Sequence, residues 1–275
     1  MLDRREFLKK AAKMAGGGAF GLAAMHSFGM GAVKDAMGCG ILPAVVGSGS
    51  ANRWPTWNES NEVGLASPNT LVWLFENTNA SENETGQGGG LSGVNLVLTQ
   101  SGSVPGATGS PPYRQLTEGS SQFFTPTVAA LNALLLGQDQ WTIIVKMNTH
   151  SSDTDFVWDL RTDSGVNARI AANILAAREI TFSVNGENLT TTDKTLATGD
   201  LWVAMWRKNG ANKGGFATTR PITEASFDAT KLVTATGTDV ITGSTFAVFY
   251  SFFNVTTYFM TAKIYYVVVS KTCLL

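Results

Sequence analysis

Short segments in which apolar and polar residues alternate make up most of the chain after residue 70. The segment WTIIVKM at 141–147 places Trp141, Ile143 and Val145 at every second position, and residues 156–161 follow the same pattern. A period of two residues is the period of a β-strand, whereas an amphipathic helix repeats about every 3.6 residues. The alternation therefore predicts half-buried strands, each with one face on a core and the other in solvent.

About ten such segments occur without the regular alternation of strands and helices that is typical of a parallel sheet. The predicted strands span residues 70–75, 91–100, 141–147, 156–161, 169–174, 179–185, 201–208, 216–219, 244–250 and 258–270. One short helix is predicted over Val128–Leu136, because Thr125-Pro126-Thr127 before it is a helix-start signal. This pattern predicts an all-β fold, a two-sheet antiparallel β-sandwich with one short helix.

The N-terminal residues have a different composition, basic at first and then modestly apolar. The run RREFLK at 4–9 resembles the twin-arginine export motif, although Asp3 stands where Ser or Thr is usual. The motif residues are Arg4, Arg5, Phe7, Leu8 and Lys9. The resemblance implies that residues 1–32 are an export signal read by the twin-arginine machinery, and that the folded protein crosses an inner membrane. Residues 33–69, rich in Gly, Ser, Asn and Pro, are predicted to be a linker or N-terminal extension.

The charge of the chain excludes one class of partner. Charged residues make up 15% of the chain, and the net charge is −1. Because the first 32 residues carry +3, the remainder carries −4. A chain without a net positive field is not expected to bind nucleic acid.

The order of segments from residue 71 to residue 270 resembles the concanavalin A-like, laminin G-like jelly-roll family. The segments that carry this resemblance are LVWLFEN at 71–77, GSSQFF at 119–124, WTIIVKM at 141–147, LWVAMWRKNG at 201–210 and AKIYYVVVS at 262–270. The resemblance implies that residues 70–275 form one jelly-roll β-sandwich whose first strand, Leu71–Glu76, pairs with its last, Lys263–Ser270. Tyr265 stands where the family usually has an acid, so no calcium- or sugar-binding residue is carried over.

The chain has two cysteines, Cys39 and Cys273, which flank the predicted sandwich. The pairing of the first and last strands that the resemblance implies would bring the two cysteines to one end. In an oxidising compartment a disulfide between them would persist. Two free thiols remain an alternative, and Cys39 in AMGC at 36–39 also resembles a lipoprotein processing site.

The sequence predicts no catalytic machinery. A retaining glycosidase needs two closely spaced carboxylates, and the alternating pair Glu82 and Glu84 lies in a Gly- and Asn-rich loop rather than on a strand. The chain has two histidines, and neither lies in a recognisable Ser-His-Asp arrangement. We therefore expect that the protein is not an enzyme. Asp153 and Asp155, which precede a predicted strand, are candidates for a calcium loop or a solvated turn, and no other cofactor is predicted.

Aromatic side chains are the other candidate binding groups, because sugar rings stack on exposed aromatic faces. Trp73, Trp141 and Trp202 share the pattern of core residues, so we expect them to be buried. The candidates for ligand contact are Trp54, Trp57, Tyr113 and Trp158.

These observations predict an exported, non-catalytic protein that binds carbohydrate or a cell-surface protein. An alternative is a structural subunit of a surface layer, filament or phage particle, which would self-associate and retain residues 1–69 as an arm. A third hypothesis is a divergent polysaccharide hydrolase or lyase.

Overall fold

A computed structural model of the chain describes most of the predicted sandwich. The described residues are 69–80, 82–88, 90–91, 96–149, 155–161, 169–189, 191, 193–221, 223–234, 241, 248–252, 254–255 and 258–275. They all belong to one compact unit, Leu65–Leu275. The predicted export signal and nearly all of the predicted linker lie outside the described residues.

The described residues form eighteen strands and one α-helix, with short turns between them. The strands are β1 (Thr70–Leu74), β2 (Glu84–Thr85), β3 (Gln87–Gly88), β4 (Val97–Ser101), β5 (Arg114–Leu116), β6 (Phe123–Pro126), β7 (Trp141–Thr149), β8 (Asp155–Arg161), β9 (Arg169–Leu175), β10 (Glu179–Val184), β11 (Glu187–Leu189), β12 (Leu201–Lys208), β13 (Ala211–Ala217), β14 (Leu232–Thr234), β15 (Val248–Phe252), β16 (Asn254–Val255), β17 (Tyr258–Phe259) and β18 (Ala262–Ser270). The helix α1 spans Val128–Leu135, which confirms the predicted helix to within one residue. In the part of the chain that the structure describes, no helix combines the length and the apolar character needed to cross a bilayer.

The strands form two eight-stranded antiparallel sheets, which confirms the predicted fold class. The first sheet has the order β14-β13-β12-β7-β18-β1-β3, and β5 also pairs with β18. The second sheet has the order β11-β10-β9-β8-β15-β6-β4-β2, and β16 and β17 form a separate ribbon. Strand β18 pairs with β1 from Thr70↔Ser270 to Leu74↔Tyr266, which confirms the expected pairing of the first and last strands.

The core lies between the two sheets. Trp73 and Trp141 of the first sheet and Trp158 and Phe182 of the second all belong to one buried apolar cluster. The helix contributes Leu131, Leu134 and Leu135 to the same cluster. The prediction that Trp73 and Trp141 are core residues is therefore confirmed.

The central strands of the first sheet are buried on both faces, which corrects the expectation of one solvent face per strand. Val72, Ile144 and Val268 point away from the core cluster, yet they are only 3%, 6% and 1% exposed. The reason is visible in the sequence, because β1, β7 and β18 contain consecutive apolar residues rather than strict alternation. Continuous apolar runs are typical of strands covered on both sides.

Two hairpins of the fold depend on Asn-Gly turns. Asn185 and Gly186 join β10 to β11, and Asn209 and Gly210 join β12 to β13; all four residues have positive φ. Two central residues with positive φ define the type I′ turn, whose twist suits a two-residue hairpin. The second turn makes β13 begin at Ala211, five residues before the predicted strand at 216–219.

Candidate functional site

A β-bulge in the last strand gathers aromatic side chains at one end of the first sheet. Ile264 lies opposite Met147, and both are core residues. The register then shifts, so that Tyr266 lies opposite Lys146 and Tyr265 is the extra residue. Because a bulge changes the alternation of side chains, Tyr265 and Tyr266 both contact residues on the face away from the core.

Lys146 of β7 lies at the centre of this group and is nearly buried, with 7% of its surface exposed. Its Nζ is 4.8 Å from the ring centroid of Trp202 and 4.9 Å from that of Tyr265. It is also 4.0 Å from Oδ2 of Asp200. Cation–π contacts of this kind are strongest where water is excluded, so Lys146 holds the two rings in fixed positions.

Hydrogen bonds fix the same rings from outside. Asp200 Oδ1 accepts from Tyr265 Oη at 2.8 Å and from Asn148 Nδ2 at 3.1 Å. Trp202 Nε1 donates to Tyr266 Oη at 2.6 Å. Burial, together with the hydrogen bond to Asp200, raises the pKa of Tyr265 above its ordinary value, so this phenol stays protonated and continues to donate.

Two further residues extend the group toward β5. Tyr113, directly before β5, packs edge-on against Tyr265 with ring centroids 5.7 Å apart. Lys263 Nζ lies 4.8 Å from the centroid of the Tyr113 ring. We call six residues the aromatic cluster: the rings of Trp202, Tyr265 and Tyr113, the ammonium groups of Lys146 and Lys263, and the carboxylate of Asp200. All of them except Lys146 are partly exposed.

The aromatic cluster combines two kinds of binding group. Partly exposed rings offer faces on which the apolar C–H side of a sugar can stack. The carboxylate of Asp200 and the amide of Asn148 offer hydrogen-bonding groups beside those rings. Asn148 Oδ1 is buried and has no hydrogen-bond partner among the described residues.

A buried arginine supports the segment that carries Tyr113. The side chain of Arg114 is fully buried and donates to the carbonyls of Pro105, Glu82, Ala80 and Val104 at 2.7 to 3.3 Å. It also donates to Gln100 Oε1 at 3.1 Å and to Glu84 Oε1 at 2.9 Å. One guanidinium group thus joins the loop that follows β1 to the loop that follows β4, and fixes the start of β5.

Glu82 lies in the loop that follows β1, whereas Glu84 begins β2, which corrects the expectation that both acids lie in a loop. The two carboxyl groups also have different environments. Glu82 is exposed and accepts from Asn77 Nδ2 and Asn79 Nδ2, which lowers its pKa. Burial raises the pKa of Glu84 to about 7, although Arg114 opposes the shift. The carboxyl of Glu84 is therefore a structural partner of Arg114, and its protonation changes within the neutral pH range.

The protein is expected to lose stability as the pH rises from about 5 to about 8, by on the order of 2 kcal/mol from Glu84 alone. The pKa of Glu84 is about 7 in the folded chain against an ordinary value of 4.5, so the folded state binds the extra proton between these values. Its contribution to stability is complete below pH 4.5 and is lost through pH 7. Urea unfolding at several pH values measures this slope, which Glu84→Gln should flatten. An unchanged slope in that variant would contradict the assignment.

The structure places three of the sequence-predicted aromatic residues as follows. Tyr113 lies in the aromatic cluster. Trp158 has no exposed surface and belongs to the core, so the hypothesis that its ring contacts a ligand is wrong. Trp202 corrects the opposite expectation, because it faces away from the core and is partly exposed.

Several other predicted site residues lie outside the described residues. They are Arg4, Arg5, Phe7, Leu8, Lys9, Cys39, Trp54, Trp57 and Asp153. Cys273 donates from Sγ to the carbonyl of Leu275 at 3.0 Å, and its pairing with Cys39 stays a prediction. Asp155 is buried at the first position of β8. In the described ranges, no group of three or more His, Cys, Asp or Glu could hold a metal ion, and the calcium loop also stays a prediction.

Three residues of the aromatic cluster are not predicted from the sequence: Lys146, Asp200 and Lys263. One signal was available: the alternation at 141–147 puts Lys146 on the face opposite Ile143 and Val145. The position of Lys146 between Trp202 and Tyr266 depends on the strand register and on the bulge, which the pattern does not predict.

Comparison with known proteins gives structural similarity only. No family model matches the sequence, and no curated protein matches it. A sialidase from Trypanosoma rangeli is similar to this chain at 9% identity and a TM-score of 0.48, covering 77% of this chain and 32% of the sialidase. The chain thus spans about a third of that protein.

Two further structures are similar at comparable levels. The exoplasmic/lumenal domain of VIP36, in its Ca²⁺- and Man2-bound form, shares 13% identity at a TM-score of 0.44, covering 76% of this chain and 89% of that domain. A structure of botulinum neurotoxin type C, a toxin whose cell entry depends on interaction with two ganglioside molecules, shares 10% identity at a TM-score of 0.45. It covers 74% of this chain and 48% of the neurotoxin chain. We draw no ligand and no activity from these similarities.

Proposed function

We propose that this chain is an exported β-sandwich protein that binds carbohydrate, free or on a cell surface, without catalysing its breakdown. The observation that supports the proposal is the aromatic cluster, in which three partly exposed rings lie beside a carboxylate on one face of the first sheet. The export part of the proposal rests on the motif at residues 4–9.

The rings of the aromatic cluster are held in position before any ligand arrives. Trp202 is fixed by Lys146 on its face and by Tyr266 at its Nε1, and Tyr265 is fixed by its hydrogen bond to Asp200. A preorganised site loses little conformational entropy on binding. Rigid aromatic faces with neighbouring hydrogen-bonding groups are therefore well suited to sugar rings, which have one apolar face and polar edges.

The proposal that the site is non-catalytic depends on its carboxylates. The aromatic cluster contains one carboxylate, Asp200, and this group accepts hydrogen bonds from Tyr265 and Asn148. Glycosidases of the common types use two carboxyl groups on either side of the scissile bond. A single carboxylate that is engaged in positioning a tyrosine suits binding better than proton transfer.

Trp202→Ala is expected to weaken glycan binding about tenfold, because it removes a stacking face and leaves Lys146 without one of its two rings. A glycan array with residues 33–275 would identify bound sugars, and titration calorimetry of the best binder would give the affinity of each variant. The array is run with calcium and with a chelator, because Asp153 and Asp155 are candidates for a calcium loop.

Two variants separate binding from folding. Trp202→Phe keeps a stacking ring and should retain most of the affinity. Phe123→Ala removes a partly exposed aromatic ring from the second sheet and should leave the affinity unchanged. If no glycan binds, or if Trp202→Ala binds as tightly as the unaltered protein, the proposed function is wrong.

A further inference from the structure

We propose that the aromatic cluster binds an acidic, linear oligosaccharide, with Lys263 paired to a carboxylate or sulfate of the sugar chain. This inference rests on the carbohydrate binding proposed above and names its ligand class. Three features of the cluster support it: its length across the sheet, the absence of an ion-pair partner for Lys263 among the described residues, and the hydrogen bonds that Asp200 accepts from other residues.

The length of the aromatic cluster favours several linked sugars over one. Trp202 lies on β12 and Tyr113 lies at the start of β5, with β7 and β18 between these two strands. Neighbouring strands are about 4.8 Å apart, so the rings at the two ends are separated by roughly 14 Å. Tyr265 lies between them and contacts Tyr113. A sugar chain that runs across the strands would meet one aromatic ring after another.

The two lysines of the cluster differ in their partners. Lys146 is nearly buried, and its ammonium group lies between two rings and close to Asp200. Lys263 is partly exposed and contacts the ring of Tyr113, and no residue that the structure describes forms an ion pair with it. An ammonium group held on a ring without a counter-ion is placed to pair with an anion on the ligand.

The carboxylate of Asp200 does not compete for Lys263. It accepts from Tyr265 of β18 and from Asn148 of β7, and it faces Lys146 of β7. The cluster thus has a balanced part around Asp200 and Lys146 and an unbalanced positive charge at Lys263. The acidic group of the ligand is expected at the Tyr113 end, and a neutral ring is expected on Trp202.

The test uses two pairs of sugars, each an acidic oligosaccharide and its neutral counterpart. One pair is tri-galacturonic acid and its fully methyl-esterified form; the other is a sulfated oligosaccharide of the carrageenan type and its desulfated form. Calorimetry is done with the unaltered protein, Lys263→Gln and Lys271→Gln. Lys271 is a matched control because it lies about 26 Å away along β18, beyond its other end.

The unaltered protein should bind at least one acidic sugar more tightly than its neutral partner, by roughly five- to tenfold. Lys263→Gln should remove this preference, Lys271→Gln should keep it, and salt should reduce it by screening. The pair that shows the preference tells a carboxylate from a sulfate ligand. The inference is overturned if neutral sugars bind equally well, or if Lys263→Gln keeps the preference. In that case binding that still depends on Trp202 leaves the proposed function standing, whereas no binding by any sugar overturns both.

Discussion

Replacing Arg114 by Met is expected to destabilise the protein by about 4 kcal/mol, because the substitution leaves Glu84 buried without its partner. The same substitution removes the donors that four backbone carbonyls share in the loops around residues 80–84 and 104–105. Buried carbonyls that lose their donors add the cost of desolvation without a hydrogen bond. The large effect therefore arises from many small contacts that depend on one side chain.

Urea unfolding at neutral pH measures this loss, and a double variant tests its cause. Removing Arg114 takes away the charge that lowers the pKa of Glu84, so the carboxyl is protonated at neutral pH and ionises only at higher pH. Arg114→Met combined with Glu84→Gln should therefore be about as destabilised as Arg114→Met alone at neutral pH, and less destabilised at alkaline pH. A loss below about 1 kcal/mol in the single variant would show that the pair is dispensable. The variant should also bind sugar more weakly, because Tyr113 directly precedes Arg114.

Gly106→Ala is expected to destabilise the protein by about 3 kcal/mol, because a Cβ at this position would overlap the backbone carbonyl oxygen of Thr78. The obstacle is backbone rather than a flexible side chain, so the two loops must move apart. Ala107 N donates to Asn77 O at 2.7 Å beside this contact, and the movement would break that bond too. Thermal unfolding and urea titration measure the loss.

Gly119→Ala is the matched control for this prediction. A Cβ at residue 119 meets nothing within 4 Å, so the substitution should change the stability little. Equal effects of the two substitutions would show that general loop entropy, and not the close approach at Gly106, determines the result.

The sequence predicted the class of fold because strand periodicity is a local property of the chain. The helix over Val128–Leu135 follows from a start signal at residues 125–127, and the pairing of β1 with β18 follows from the family resemblance. Solvent faces were predicted wrongly where apolar residues are consecutive, as in β18. The class of fold therefore follows from local patterns, but the burial of the outer faces of its strands does not.

The candidate site could not be predicted to the same degree. The sequence predicts Tyr113 as a ligand contact from its position in a loop. It predicts Trp202 as a core residue, because the local sequence does not tell which face of the strand a tryptophan among apolar residues occupies. Tyr265 was noted only as a departure from a family pattern. Its contact with Lys146 depends on a bulge in β18 and on the register with β7, which are set by pairing between distant segments.

The pairing of β1 with β18 has a mechanical consequence. Lys271 N donates to Asn69 O at 2.9 Å, and the antiparallel strands β1 and β18 extend side by side from this point. A pulling force applied at these two residues would load the backbone hydrogen bond nearest the strand ends first, and then the following pairs one after another. The strands would peel apart at low force, whereas a force along the strands in opposite directions would load all the pairs together. An attachment at both ends of this sandwich would therefore yield under tension one strand pair at a time, exposing Leu71, Trp73, Val267 and Val269 of the core as it does so.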